Sequence, residues 1–159
     1  MAVKPIPDGY HTVTPYIIVK GCAAAIDWYK RAFGAEEHVR CPMPDGRVGH
    51  AEIQIGDSRL MLADEFPEMN AKSPQTLGGT PFGICLYVLD SDASFQRAVA
   101  AGAKVERPIA DQFYGDRSGT VIDPYGHKWT ISTHKREVSK EEIDRAMKEF
   151  ANKSGGGCG

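Results

Sequence analysis

Two polar side chains capable of acid–base chemistry stand two residues apart in a segment of alternating apolar and polar residues. His50 and Glu52 belong to the run Gly49–Ile55, and a strand directs residues i and i+2 to the same face. The pair fits a general base with its orienting carboxylate, two ligands of a metal site, or a hydrogen-bonded pair on a wet surface. We favour the hydrogen-bonded pair, and with any of the three interpretations we expect both side chains to contact a ligand.

A second candidate region combines aromatic and charged residues in a stretch rich in turn formers. Tyr114 is followed by Gly115, Asp116 and Arg117. Arg117 could bind a carboxylate or phosphate, because its planar fork of donors matches those oxygens. Alternatively, Asp116 and Arg117 pair with each other and fix a long loop. Both interpretations stay open, and Tyr114 is the stronger candidate for ligand contact.

Composition excludes several functional classes. The chain has 159 residues and a formal net charge of −2, which gives no electrostatic footprint for nucleic acid or an anionic membrane. The start has no apolar segment of signal-peptide length, and the longest uncharged run, Ser73–Leu89, is too short to span a bilayer. Four cysteines at scattered spacings predict reduced thiols. We therefore expect a cytoplasmic protein with no nucleic-acid or membrane partner.

The elements that must position these residues form one pattern that occurs twice. In the first copy, a strand over Thr12–Lys20 precedes an amphipathic helix that Gly34 ends. Three strands follow, over Glu36–Cys41, Gly49–Ile55 and Ser58–Ala63. The first half of the chain thus has the order βαβββ.

The second copy begins after Pro81 and has the same order. Its strands are predicted over Gly83–Val88, Lys104–Ile109, Gly119–Asp123 and Lys128–Thr133, with a helix between the first two. The connection 64–79 is aperiodic, and its length is typical of a linker or a functional lid. A capping box opens a C-terminal helix over 139–152, and residues 154–159 are predicted to be disordered.

This repeat resembles the vicinal oxygen chelate superfamily, which includes glyoxalase I, bleomycin-resistance proteins and extradiol dioxygenases. The resemblance lies in Val19-Lys20-Gly21, in the helix ending at Phe33-Gly34, and in Asp123-Pro124-Tyr125-Gly126-His127. The stretch 111–120 resembles the PhnB-like subgroup. The resemblance implies an α+β fold in which two βαβββ modules, about 10–65 and about 81–134, curl mixed sheets around a cup. It implies one glyoxalase-like domain over 1–153 and a homodimer.

On that basis, the alternation in the strands separates core from cup. Apolar residues of one parity are expected to pack beneath the helices: Val13, Ile17, Val19, Ile53, Ile55, Leu60, Leu62, Ile84, Leu86, Val88, Trp129 and Ile131. The opposite parity is expected to line the cup: Thr12, Thr14, Tyr16, His50, Glu52, Gln54, Arg59, Met61, Cys85, Tyr87, Thr130, Ser132 and His134. A cup lined in this way suits a polar organic ligand.

Enzymes of the superfamily hold a divalent metal through His or Glu on the first and last strand of each module. The resemblance places those positions at Thr14, Met61, the region 83–85 and Thr130. Threonine and methionine are poor ligands for zinc, nickel or manganese. The sequence therefore predicts no metal and no other cofactor.

Together these observations predict a metal-free small-molecule-binding protein of the bleomycin-resistance kind. The expected ligand contacts are Thr14, Tyr16, His50, Glu52, Gln54, Arg59, Tyr87, Tyr114, Arg117 and Thr130. One alternative is a metal-dependent lyase or isomerase with an altered ligand set drawn from His50, Glu52 and Glu65. Another is a metal-free catalyst with His50 as general base and Glu52 beside it.

Overall fold

The computed structural model describes residues 3–154 and has the predicted element order. The first module contains β1 (Tyr16–Val19), α1 (Cys22–Phe33), β2 (Glu36–Pro42), β3 (Val48–Ile55) and β4 (Ser58–Asp64). The second contains β5 (Gly83–Tyr87), α3 (Ser91–Ala100), β6 (Lys104–Asp111), β7 (Asp116–Ile122) and β8 (Lys128–His134). A short α2 (Pro74–Leu77) lies between the modules, and α4 (Lys140–Ser154) follows them. The tail predicted to be disordered lies outside the described residues, apart from Ser154 at the end of α4.

The two sheets have the same topology. Strand order is β1-β4-β3-β2 in the first sheet and β5-β8-β7-β6 in the second. In each sheet the first and last strands of the module are parallel and the other pairs are antiparallel. The pair Ile18 and Ala63 in the first sheet is equivalent to the pair Tyr87 and Ser132 in the second. The α+β fold of two βαβββ modules with mixed sheets is confirmed.

Each module fixes the start of its helix with a side chain from its last strand. The Asp64 carboxylate accepts hydrogen bonds from the backbone N–H groups of Gly21 and Cys22, both at 2.8 Å. In the second module, the hydroxyl of Thr133 accepts from the N–H of Ser91 at 2.8 Å. The first N–H groups of a helix have no partner within it, so these acceptors lock each helix onto its sheet.

One apolar core joins the modules through α1. The hydroxyl of Tyr29 donates to Asp123 at 2.7 Å, and the indole N–H of Trp129 donates to the same carboxylate at 2.9 Å. The rings of Phe33 and Trp129 pack with centroids 4.6 Å apart. His127 adds a contact between modules, since its Nε2 lies 2.9 Å from the backbone oxygen of Ile18. The first helix thus packs on both sheets.

Most of the predicted core is confirmed, with one error. Val13 is 82% exposed because β1 begins only at Tyr16, after Pro15. Ile84, Leu86 and Val88 are half-buried; β5 is an edge strand, and α3 packs on β6, β7 and β8. The other predicted core residues are buried: Ile17, Val19, Ile53, Ile55, Leu60, Leu62, Trp129 and Ile131.

One carboxylate in the connection between the modules holds the start of α2. Glu65 accepts from the N–H and hydroxyl of Ser73 at 3.0 and 2.8 Å and from the hydroxyl of Thr76 at 2.7 Å. These bonds hold the first turn of α2, which Ser73 caps, and they lower the pKa of Glu65 to about 2. Among the helices of residues 3–154, none is long and apolar enough to cross a membrane.

Candidate functional site

Each sheet has a face that no helix covers, and we call it the helix-free face. In the first sheet, Tyr16 on β1 is 49% exposed while its neighbour Ile17 is 2% exposed. Cross-strand pairing places Glu52 beside Met61. Six of the predicted cup-lining residues of this module lie on that face: Tyr16, His50, Glu52, Gln54, Arg59 and Met61. The prediction is wrong for Thr12 and Thr14, which precede β1 instead of belonging to it.

A hydrogen-bonded series of side chains runs across the helix-free face of the first sheet. The hydroxyl of Tyr16 lies 3.1 Å from His50 Nδ1, and His50 Nε2 lies 3.2 Å from Glu52 Oε1. The hydroxyl of Tyr10, from the N-terminal segment, donates to the other oxygen of Glu52. A neutral imidazole with its proton on Nε2 satisfies all of these partners. The structure therefore brings His50 and Glu52 together as predicted and adds Tyr10 and Tyr16.

The electrostatics of this series follow from its hydrogen bonds. The bonds from Tyr10 and His50 lower the pKa of Glu52, so its carboxylate stays ionised. Burial and the bond to Glu52 raise the pKa of Tyr10, and burial raises that of Tyr16. Both phenols therefore keep their protons at neutral pH and act as donors.

Arg59 lies beside this series. Its guanidinium carbon is 5.6 Å from the centre of the Tyr10 ring, within the range of a cation–π contact. Its Nε and Nη1 are buried and have no hydrogen-bond partner among residues 3–154. Gln54, opposite Arg59 in the strand register, instead donates from its side chain to the backbone oxygen of Gly56 at 3.0 Å.

The helix-free face of the second sheet carries a separate cluster. Asp116, only 5% exposed, accepts from the hydroxyl of Tyr87 at 2.8 Å and lies 2.8 Å from His134 Nδ1. The bond to Asp116 raises the pKa of Tyr87 to about 12 and also raises that of His134. Sequence reasoning missed the role of Asp116 because β7 was predicted to start at Gly119. When β7 begins at Asp116, the alternation of its side chains directs Asp116 to the helix-free face.

Two further predicted residues lie near this cluster. The hydroxyl of Thr130 lies 3.1 Å from that of Thr120, its cross-strand neighbour. The hydroxyl of Tyr114 lies 3.4 Å from that of Ser118, and its ring is 41% exposed. Both side chains are therefore on the side of the second sheet that the sequence assigned to the cup.

Arg117 differs from its predicted place beside the cup. Its Nε and Nη2 donate to the two oxygens of Asp92 at 2.6 and 2.7 Å, and its Nη1 donates to Asp111 at 3.2 Å. Arg117 belongs to β7 rather than to a loop, and alternation directs it away from the face that carries Asp116. It ties β7 to α3, and its partner is Asp92 rather than Asp116.

The donors at the positions that the superfamily resemblance assigns to metal ligands do not suit a divalent ion, and the fourth position, in the region 83–85, offers a single thiol from Cys85 beside Thr130. Met61 and Thr130 occupy equivalent places, since each belongs to the last strand of its module and pairs with the first. Neither a thioether nor a hydroxyl replaces His or Glu as a ligand. Thr14 lies before β1 and donates to the backbone oxygen of His11 at 3.1 Å. The position of Thr14 is a correction, because it was predicted within the strand.

The altered ligand set is not assembled either. Glu65 is bonded to Ser73 and Thr76, away from His50 and Glu52. The described part of the chain contains no group of three or more His, Cys, Asp or Glu side chains arranged to hold a metal ion.

Two surface clefts lie beside the helix-free faces, and one of them reaches the polar series of the first sheet at Tyr16. One, of about 240 Å³, lies between the modules beside Tyr16, Leu77 and Phe82. The other, of about 390 Å³, lies along α2 and the second sheet, beside Gln75 and Lys128. Neither includes His50, Glu52 or Arg59. The smaller cleft therefore borders the helix-free face of the first sheet at Tyr16, and the larger one borders that of the second sheet at Lys128.

Comparison with known proteins agrees with this architecture. The chain is 46% identical over 138 residues to the "Uncharacterized protein Mb0911c" of Mycobacterium bovis, covering 85% of this chain and 91% of that protein. The crystal structure of TioX from Micromonospora sp. ML1 superposes with a TM-score of 0.61 at 26% identity, covering 78% of this chain and 98% of TioX.

A further structure shares the fold. The PhnB protein of Bacillus cereus has a TM-score of 0.60 at 16% identity, covering 77% of this chain and 99% of that one. The family model of the Glyoxalase/Bleomycin resistance protein/Dioxygenase superfamily matches residues 10–131. These residues span both modules, from Tyr10 to Ile131 on β8. The chain belongs to the Glyoxalase/Bleomycin resistance protein/Dioxygenase superfamily.

Proposed function

We propose that this chain is a metal-free small-molecule-binding protein whose ligand surface is formed by the helix-free faces of its sheets. The observation that carries the proposal is the equivalent placement of Met61 and Thr130 in the two sheets, at positions that the superfamily resemblance assigns to metal ligands. The same faces carry exposed aromatic rings and charged side chains, which suit recognition of a polar molecule.

We expect the ligand to be polar, anionic and aromatic. Tyr16 and Tyr87, 49% and 62% exposed, supply flat apolar area with hydroxyl groups for orientation. Arg59 supplies a cation with unpartnered buried nitrogens. Because the chain has a net charge of −2, attraction for an anion must be local. The proposed contacts are Tyr16, His50, Glu52, Gln54, Arg59, Tyr87, Tyr114 and Thr130.

A second candidate function is catalysis without metal, and the series Tyr16–His50–Glu52 favours it. A base held between a proton donor and an orienting carboxylate is the arrangement that general-base catalysis requires. In this hypothesis, His50 Nδ1 accepts a proton from the ligand or from Tyr16, and Glu52 stabilises the imidazolium that results. A pH–rate profile that Glu52→Gln shifts would separate catalysis from binding alone.

We also propose that the protein acts in the cytoplasm as a homodimer. The superfamily resemblance implies the dimer. The two helix-free faces support it, because the polar contacts described for each face stay within its own module. A second copy could bring the face of one module opposite the other.

A thermal-shift screen of aromatic acids tests the proposed ligand. A true ligand at a hundred times its Kd stabilises the protein by about 2.7 kcal/mol. His50→Ala and Arg59→Ala should each weaken binding roughly tenfold or more, on a scale of about 1.5–3 kcal/mol per charged hydrogen bond.

Arg117→Ala is the matched control for that screen, because Arg117 is bonded to Asp92 and Asp111 instead of facing the proposed site. It should lower stability and leave ligand affinity unchanged. If no aromatic acid raises the melting temperature, or if hits bind the His50 and Arg59 variants as well as wild type, the proposed site is wrong.

A further inference from the structure

The N-terminal arm, residues 3–15, lies across the helix-free face of the first sheet. Residues 3–9 are exposed, whereas Tyr10 is half-buried against the sheet. The phenol of Tyr10 donates to Glu52, and its ring lies over Arg59. One residue of the arm thus occupies the center of the proposed ligand surface.

Few hydrogen bonds attach the arm to the sheet. At its end the arm joins the sheet, where the Met61 N–H donates to the backbone oxygen of Pro15 at 3.0 Å. The remaining hydrogen bonds of the arm are local: Tyr10 N–H to Pro7, Lys4 to Asp8, and Thr14 to His11. From residues 3–11, the bond of Tyr10 to Glu52 is the one hydrogen bond to the sheet within the described chain. Segments with few buried contacts open at low free-energy cost. Withdrawal of the arm would therefore uncover Glu52 and Arg59 without disturbing the core.

The groups beneath Tyr10 have unused binding capacity. Arg59 Nε and Nη1 are buried and lack a hydrogen-bond partner in residues 3–154, although such groups are almost always paired in folded proteins. A Cβ atom built on Gly9 would lie 3.4 Å from Arg59 Nε, so the arm's backbone passes close to the guanidinium without a hydrogen bond to its Nε or Nη1. A carboxylate that replaced the arm could supply one.

We infer that the helix-free face of the first sheet binds a phenol that carries an acid group, and that Tyr10 occupies the place of its ring when no ligand is bound. The ligand hydroxyl would donate to Glu52, as Tyr10 does, and its carboxylate would accept from Arg59. This inference rests on the proposed function and names the ligand class of the same site.

Isothermal titration calorimetry of Tyr10→Ala with hydroxybenzoates tests the inference. The three hydroxybenzoate isomers are the probes, and benzoate and p-cresol each lack one of the two groups. At least one isomer should bind Tyr10→Ala tenfold or more tightly than wild type, because the competing side chain is gone. The same isomer should bind at least tenfold more tightly than benzoate or p-cresol.

Two further variants keep the test interpretable. His11→Ala, which truncates the exposed neighbour in the same arm, should bind hydroxybenzoate as wild type does. If Tyr10→Ala fails to fold, Tyr10→Phe keeps the ring and loses the bond to Glu52, and it should show a smaller gain in affinity. Saturating hydroxybenzoate should also speed hydrogen exchange severalfold at the amide of Tyr10 in the wild-type chain, because that N–H donates to Pro7 within the arm.

Equal affinity of the Tyr10 variants and wild type, no preference for hydroxybenzoate over benzoate, or a gain as large in His11→Ala would each overturn the inference. If other aromatic acids still bind wild type and lose affinity in His50→Ala, then only the inference fails. If no aromatic acid binds any variant, the proposed function fails with it.

Discussion

At the scale of single residues, the donor atoms at equivalent strand positions decide which chemistry the fold supports. Met61 and Thr130 stand at the same register position in the two sheets, and Thr14 lies outside its strand. Divalent first-row metals in proteins are held by imidazole, carboxylate or thiolate groups. Such groups are absent from these three positions, and the fourth, in the region 83–85, offers one thiol, that of Cys85.

We therefore predict that protein purified without chelator carries no stoichiometric zinc, nickel or manganese. Elemental analysis by mass spectrometry of the intact protein measures this directly. A Met61→His, Thr130→Glu double variant, which restores superfamily-type donors, serves as the positive control. About one metal ion per wild-type chain would contradict the prediction and favour the lyase or isomerase alternative.

At the scale of elements, the connection between the modules depends on the charge of one carboxylate. Glu65 accepts three hydrogen bonds from Ser73 and Thr76, and these lower its pKa to about 2. A group whose folded pKa is lowered contributes stability above its unfolded pKa, near 4.5, and that stability is lost as the pH falls toward the folded value. The start of α2 should therefore weaken in acid.

Glu65→Gln is expected to lower the melting temperature at pH 7 and to flatten its fall between about pH 4.5 and pH 2. Amide exchange of residues 73–77 at neutral pH should increase in the same variant. Glu36→Gln, which alters an exposed carboxylate at the start of β2, is the control and should keep the wild-type slope. If the melting temperatures of Glu65→Gln and wild type fall with the same slope in acid, Glu65 does not hold the connection.

At the scale of the whole molecule, one core joins two modules whose polar clusters on the helix-free faces remain separate. Tyr29 and Trp129 both donate hydrogen bonds to the buried carboxylate of Asp123. Contacts with both sheets therefore stabilise α1. The polar series of the first sheet and the Asp116 cluster of the second share no hydrogen bond among the described residues. We expect a second copy of the chain to bring the two faces together around one ligand.

We predict that the protein is a homodimer, with a mass by light scattering of about twice 17.3 kDa at micromolar concentration. Pairing of two copies through a twofold axis would close two equivalent cups. Small-angle scattering at several concentrations provides an independent check on the same sample. A mass equal to that of one chain across the concentration range would count against the dimer.

The order of elements and the side of each strand that is buried could be predicted from the sequence because both depend on local periodicity. Alternation assigned Ile53, Leu62 and Ile131 to the core, and all three are buried. Gly34 and Gly102 end their helices with φ of 68° and 104°, a conformation that glycine adopts readily. His50 and Glu52 were paired correctly, since residues two apart on a strand always share a face.

Only the tertiary structure decided where strands begin and which distant residues meet. β1 starts after Pro15 and β7 starts at Asp116, and those starts moved Val13 out of the core and directed Arg117 to Asp92. Tyr10 reaches Glu52 across 42 positions of sequence from an arm with no periodicity. Such contacts depend on the packing of complete modules, and no local pattern in the sequence encodes them. The polar partners at the site therefore could not be predicted from the sequence.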